Sequence, residues 1–228
     1  MRRIIYIIGI LWLLASVNIF AQTGAKFGIK GGYSMATQYG IEDPDIPYTV
    51  DVAFRHGIAF GLLAYFPITE SFGIQQEVLY VMKGSREDIN MINMPVKTHT
   101  EYDLNYFEIP IVFRYTFVRL WDLDIYGSTG FALSIMLDGE YRLSGQILVG
   151  DDEEPEAFSE ASEIRNVDIF DYGFLYGAGF EFELFDKKCF FEYRLNIGWN
   201  TLMMPTFEGG DPAPLRNQDY IFVLGFIL

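Results

Sequence analysis

The chain has 228 residues, half of them hydrophobic and 17% aromatic, with a formal net charge of −15. That hydrophobicity excludes general disorder, and the acidic balance argues against nucleic acid as a partner. The single cysteine, Cys189, excludes an intramolecular disulfide framework and any multi-cysteine metal site.

At the N-terminus Arg2 and Arg3 precede an apolar run from Ile4 to Leu14, and a more polar stretch ends at Ala21. This reads as a secretory signal peptide, residues 1–21, leaving 22–228 as a single domain. The rival reading is a retained transmembrane helix over residues 4–20, close to the shortest spanning length, which Ser16 and Asn18 weaken. No later run is long and apolar enough to form a spanning helix.

After the signal, residues 26–35 (KFGIKGGYSM) alternate as a first strand, with Phe27 and Ile29 opposite Gly28 and Lys30. Residues 36–54 carry acids and prolines and read as a long acidic loop. Residues 55–67 and 72–84 then alternate again across a short link, which predicts an antiparallel hairpin. In the second of these, Phe72, Ile74, Val78 and Tyr80 oppose Gln75, Glu77 and Lys83. A second polar loop spans 85–101. The fourth strand, NYFEIPIVFRY, puts Phe107, Ile109, Ile111, Phe113 and Tyr115 on one face and Glu108, Pro110, Val112 and Arg114 on the other. A short link leads to a fifth strand over 124–137, and a third loop contains the acidic run 151–163. Parts of 141–149 read as strand extensions. The sixth and seventh strands, 172–185 and 189–200, oppose Glu181, Glu183, Glu192 and Arg194 to rows of aromatics. A Pro- and Gly-rich loop, 202–216, precedes a closing strand, 220–228.

Eight strands joined alternately by long and short connections, with an even count, predict an all-β fold: an eight-stranded antiparallel transmembrane barrel, an up-and-down meander with short periplasmic turns and long extracellular loops. A soluble lipocalin-like barrel predicts the same alternation. The membrane form accounts in addition for aromatics gathered near strand ends. Phe66, Phe72, Tyr115, Phe117, Trp121, Phe185 and Phe191 fall at the short-turn end, and Tyr80, Tyr102, Tyr172, Trp199 and Tyr220 at the other. An interior of this width is filled by side chains, so Glu77, Glu108, Arg114, Glu181, Glu183, Glu192 and Arg194 are expected to form a paired charge network inside.

KFGIKGGYSM, EVLYVMKG, NYFEIPIVFRY, GAGFEFEL and FEYRLNIGW, in that order, resemble the Bacteroidota outer-membrane β-barrel family often called PorT-like, over nearly the whole mature chain. The resemblance implies fold and location and transfers no catalytic residue, cofactor or metal. Members resembling this family include a component associated with type IX secretion. The chain departs from barrel habit in ending on Leu228 rather than an aromatic, and Pro110, lacking a ladder donor, predicts a bulge.

The expected function is therefore non-enzymatic: an outer-membrane anchor or accessory, in contact with outer-membrane lipid and a protein partner in that membrane or at the cell surface. Asp151, Asp152, Glu153 and Glu154 are its candidate extracellular binding residues. An enzyme acting on lipid or peptide at the outer face would need a base and nucleophile together, for which His56 and Ser85 are the candidates. By strand parity His56 points outward. An open porin is disfavoured by the eight-strand width, which leaves a narrow channel as an alternative, beside a calcium-binding surface protein that would lack a spaced loop motif.

Overall fold

The computed structural model describes residues 24–40, 48–91, 96–147, 156–164, 169–204 and 213–228. The signal segment and Asp151, Asp152, Glu153 and Glu154 lie outside these residues.

Ten strands are present among them: β1 Lys26–Gly40, β2 Tyr48–Pro67, β3 Phe72–Met91, β4 Val96–Leu120, β5 Leu123–Ile147, β6 Glu156–Glu163, β7 Phe170–Leu184, β8 Lys187–Gly198, β9 Leu202–Met204 and β10 Ala213–Ile227. Eight of them form a ring in the order β1, β2, β3, β4, β5, β7, β8, β10, closed by antiparallel pairing of β1 with β10 from Gly28↔Ile227 to Gly40↔Leu215. Closure leaves no unpaired edge in the wall, which lipid would not tolerate. The two extra strands add to the ring above it: β6 pairs with β5, and β9 with β10.

The alternation read from the sequence becomes two faces. Tyr106, Glu108, Pro110, Val112 and Arg114 are buried inside, while Phe107 to Tyr115 on the other parity face out. Outward aromatics set the height of the apolar band. Phe72 and Tyr80 on β3 are eight residues apart, as are Phe191 on β8 and Trp199 just past its end. At a tilt near 40° that is about 20 Å, close to the band of an outer-membrane barrel. Two residues expected in the belts lie elsewhere: Phe66 and Tyr102 are buried. Tyr102 shares the inward parity of Leu104 and Tyr106 on β4, whereas Phe66 has the outward parity of Phe60 and Leu62 and is nonetheless buried at the end of β2.

Four stretches expected as loops are strand instead. β1 runs on to Gly40, β2 begins at Tyr48, and β3 and β4 extend to Met91 and from Val96. Beyond the belt no lipid demands an apolar outer row, so polar residues such as Thr98 and Asp88 suit the outer face, while Thr100, Tyr102 and Leu104 turn inward and are buried. Residues 156–163, expected as loop, also pair, with Tyr141↔Ser162 and Gly145↔Phe158.

Pro110 makes no bulge. On the β5 side the register passes through Pro110↔Ala132 unbroken, and on the β3 side it resumes at Leu79↔Glu108 unchanged from Gln76↔Ile111. The missing donor leaves a gap in one ladder without shifting it. The irregularities fall between Asn105 and Tyr106, between Thr116 and Val118, and between Phe54 and Ala59. Inside, Phe190 lies over Gly225, where a Cβ would come within 2.1 Å of its ring. That ring fills the lumen at the short-turn end with Leu63, Leu79, Ile221 and Val223.

Candidate functional site

Two charged clusters cross the lumen. The first lies towards the short turns and is centred on Arg194 of β8. Its guanidinium donates to both carboxylate oxygens of Glu77 on β3, each at 2.8 Å, and to Glu192 at 2.7 Å. Lys30 of β1 donates to Glu77 at 2.8 Å. Arg114 of β4 donates to Gln75 at 2.9 Å and to Glu181 of β7 at 2.5 Å, and stacks 3.7 Å from the centroid of the Tyr126 ring. The Tyr126 hydroxyl donates to Glu192 at 3.3 Å. Three cations thus face three carboxylates, and the pairs join opposite sides of the wall.

The second cluster lies towards the long hairpins around Lys83 of β3. Its ammonium pairs with Glu108 of β4 and lies 2.9 Å from Asp219 Oδ1 of β10. Ser134 donates to Glu108 at 2.8 Å, Asn196 to Asp219 at 2.9 Å, and Asn217 to Asp171 at 2.8 Å. Gln38 donates to Asn217 and accepts from Ser85. Here amides and hydroxyls take the place of counter-charges. Glu108 Oε2 and Asp171 Oδ1 are buried without a hydrogen-bond partner among the described residues.

Above the belt the hairpins carry a third set. Arg142 on β5 reaches Glu101 at 3.0 Å, Asp103 at 2.8 Å and Glu140 at 2.9 Å, and Arg86 reaches Glu101 at 3.1 Å. Arg55 of β2 crosses β3 to pair with Asp103 on β4. Gly84 opens that route: it sits at φ +131°, and a Cβ there would lie 3.1 Å from Arg55 Cδ and 1.8 Å from the Tyr102 carbonyl oxygen. His99 faces Asp88 at 2.8 Å and Glu101 at 3.4 Å. The hydrogen bond to Asp88 raises the His99 pKa above its ordinary value, against a smaller opposing effect of partial burial. Arg142 beside Glu140 holds that carboxyl below its usual range.

Of the residues singled out from sequence, Glu77, Glu108, Arg114, Glu192 and Arg194 are buried in the lumen, and Glu181 caps Arg114 at its rim. Glu183 is a correction. It shares their parity but is exposed, because its partner Lys188 is next to the Phe185 and Asp186 turn and the strand has already left the lumen. Lys30, Lys83, Asp171 and Asp219 are buried charges that the sequence reading did not assign to the network. Lys30 and Lys83 were visible on the inward parity, whereas Asp171 and Asp219 sit just outside the strand limits drawn from sequence. His56 and Ser85 are not brought together: Ser85 is buried against Gln38, and His56 is exposed, stacked on Tyr33 with ring centroids 5.7 Å apart.

The model of the outer membrane protein beta-barrel domain family matches residues 20–203. The chain belongs to that family. A member of it sits in the outer membrane, so the outward apolar band meets lipid and the acid–base clusters are shielded from it. No curated protein matches the chain. Among solved structures, this outer-membrane barrel is similar to OprG from Pseudomonas aeruginosa, with 11% identity over 90% of this chain and 97% of that one at a TM-score of 0.48. It is also similar to Neisserial surface protein A, with 12% identity over 90% and 99% at 0.45. The outer membrane protease OmpT from Escherichia coli is a third, with 9% identity over 89% and 95% at 0.43. At these values the likenesses carry no argument about activity.

Proposed function

We propose that this barrel is a non-enzymatic outer-membrane anchor, of the PorT-like kind found in Bacteroidota, that presents acidic β-hairpins to a partner protein at the cell surface. The observation that carries the reading is the ordered sheet above the belt. β3 continues eleven residues past Tyr80, and β4, β5 and β6 pair alongside it through Asn90↔Lys97, Lys97↔Gln146 and Ile147↔Glu156. That is about 35 Å of strand standing on a plugged barrel. Such a platform holds Glu101, Asp103, Glu140 and Asp88 in fixed positions among Arg55, Arg86, Arg142 and His99, and the acidic run 151–154, between β5 and β6 in sequence, adds the charge that favours cationic partners.

The interior supports the same reading against a channel, since ion pairs cross the lumen at two levels. It also favours an anchor over an enzyme at the outer face, because His56 and Ser85 lie on opposite faces of the wall. The test is a pull-down from native outer membranes with the intact protein and with residues 150–164 deleted. Loss of a specific partner in the deleted form supports the reading. Recovery of the same partners, or of none, by both forms removes that segment as the recognition element.

A further inference from the structure

Two adjacent glutamines on β3 have opposite surroundings. Gln75 points into the lumen, where it donates to Glu77 at 2.5 Å and accepts from Arg114 at 2.9 Å. Gln76 has the outward parity, with Ile74 and Val78 on its own strand and Ala64 and Ile111 across from it on β2 and β4. Its carboxamide makes no hydrogen bond among the described residues. Thr129, another polar residue on the outer wall, instead donates its hydroxyl to the Leu175 carbonyl at 3.2 Å.

Depth makes that difference costly. Gln76 stands four residues from Phe72 and four from Tyr80, the belt aromatics of its own strand, so it lies at the middle of the apolar band. Either belt is about 10 Å away along the membrane normal. A glutamine side chain is too short to reach headgroups or water from there, and an amide left unpaired in hydrocarbon carries the full cost of its lost hydrogen bonds. Acyl chains offer no donor or acceptor at that depth. They cover apolar rows as well as a protein would, so the belt alone names no partner, whereas the amide calls for one.

A carboxamide is donor and acceptor together, and the group that satisfies both at once is a second carboxamide at the same depth. Two copies of this chain inserted in the same orientation supply it by symmetry, since a residue beside a twofold axis along the membrane normal meets its own copy at its own height. The surrounding wall suits that approach. Rings border it above and below, Phe60 with Tyr80 at 5.2 Å between centroids and Phe72 with Phe113 at 6.5 Å, while the rows between hold Ala64, Ile74, Val78 and Ile111. The smallest of these, Ala64, pairs with Gln76 itself, and small residues are what let surfaces within a membrane come close. We propose that the outer face of β2, β3 and β4 is a dimer interface within the membrane, where each Gln76 donates an amide N–H to the Gln76 carbonyl oxygen of a second copy of this chain.

The test is energy transfer between copies of the intact protein, labelled at the N-terminus with a donor or an acceptor dye and reconstituted in phosphatidylcholine vesicles over a range of protein-to-lipid ratios. The native chain is expected to transfer energy above the level of random encounter and to lose it on dilution with lipid. Gln76→Leu is expected to weaken association about tenfold, the worth of two amide hydrogen bonds across a membrane interface. Ala64→Phe, which holds the walls apart, is expected to weaken it at least as much. Leu195→Phe, midway between Phe191 and Trp199 and four strands from β3 in either direction around the ring, is expected to leave it unchanged. In urea unfolding at dilutions where the chains are monomeric, Gln76→Leu is expected to be as stable as the native chain or more so, because it takes an unpaired amide out of lipid. A native chain that fails to associate at every ratio overturns the proposal, as does association unchanged by Gln76→Leu or by Ala64→Phe, or reduced equally by Leu195→Phe. So does a less stable Gln76→Leu monomer, which would assign the amide a partner within its own barrel.

Discussion

Around Arg194 the barrel buries three cations, Lys30, Arg114 and Arg194, against three carboxylates, Glu77, Glu181 and Glu192; around Lys83 it buries one cation against Glu108, Asp171 and Asp219. The first cluster neutralises charge with charge, and its hydrogen bonds run from β1, β3 and β4 to β7 and β8. The second relies on Ser134, Asn196 and Asn217, whose dipoles stabilise a carboxylate without cancelling it. The two clusters differ in their place along the lumen and not in how far they are shut from water: Phe190 and its apolar neighbours adjoin the first, and a second buried apolar layer that includes Tyr102, Leu104, Tyr141 and Leu202 adjoins the other.

The largest expected effect breaks the balanced cluster. Arg194→Met leaves Glu77 and Glu192 facing each other in a dry lumen and should cost about 3–5 kcal/mol in urea unfolding from lipid vesicles. Adding Glu77→Gln to that variant should recover part of the loss, because the remaining carboxylate, Glu192, keeps Tyr126 as a donor. If the double variant is no better than the single one, the cost lies in packing of the arginine stem and not in charge.

The unbalanced cluster should respond with opposite signs to its two kinds of member. Lys83→Met removes the sole cation and should also cost about 3–5 kcal/mol. Asp219→Asn, by contrast, lowers the excess of acid and retains an oxygen for Asn196, so it should cost less than about 1 kcal/mol or stabilise. The same vesicle assay decides between them. A loss for Asp219→Asn as large as that for Lys83→Met would mean that all three carboxylates are held by partners, and the contrast between the clusters would fail.

A smaller effect concerns the boundary between barrel and hairpins. Gly84→Ala puts a Cβ against the Tyr102 carbonyl, in a backbone region that L side chains rarely adopt, and blocks the path of Arg55 to Asp103. The expected cost is about 1–3 kcal/mol, with faster amide exchange in residues 85–103 than in the ring below. Uniform loss across the barrel would show that the hairpins do not open separately.

The sequence made the ring legible because lipid on one side and a packed lumen on the other impose strict alternation over each crossing, as in Phe107 to Arg114. Beyond the belt that constraint ends. Thr98, His99 and Asp88 sit in paired strand while their polarity alone reads as loop, and β6 was hidden in an acidic run for the same reason. The charge network was legible where a residue lay well inside a crossing, as Glu77, Glu108 and Arg194 do. It was not legible at the margins: Glu183 has the inward parity but has passed the end of the lumen, and Asp171 and Asp219 fall just before the first aromatic used to mark their strands. What neutralises a buried carboxylate is set by neighbours far apart in sequence. Lys30 and Glu77 are 47 residues apart, and Glu77 and Arg194 are 117.

The smallest expected effect tests whether the hairpin charges behave as a surface set, unlike either cluster in the lumen. His99 lies between Asp88 of β3 and Glu101 of β4, and Arg86 and Arg142 also reach Glu101. Its pKa is raised in the folded hairpin, chiefly by the hydrogen bond to Asp88. A group whose pKa rises on folding binds its proton more tightly when folded, so its stabilisation is full below the unfolded value and is lost as pH rises through the folded one. The hairpin should therefore be more ordered at pH 5.5 than at pH 8, a modest change because the side chain is 40% exposed and screened by water. Amide exchange over residues 85–91 and 96–103, corrected for the intrinsic pH dependence, should slow at the lower pH, and His99→Ala should abolish the difference. Raising salt should shrink it, as expected for charges outside the membrane. If exchange in the ring below Tyr80 changes with pH by the same factor and His99→Ala has no effect, the titrating group lies elsewhere, and the carboxylates around Lys83 become the next to replace.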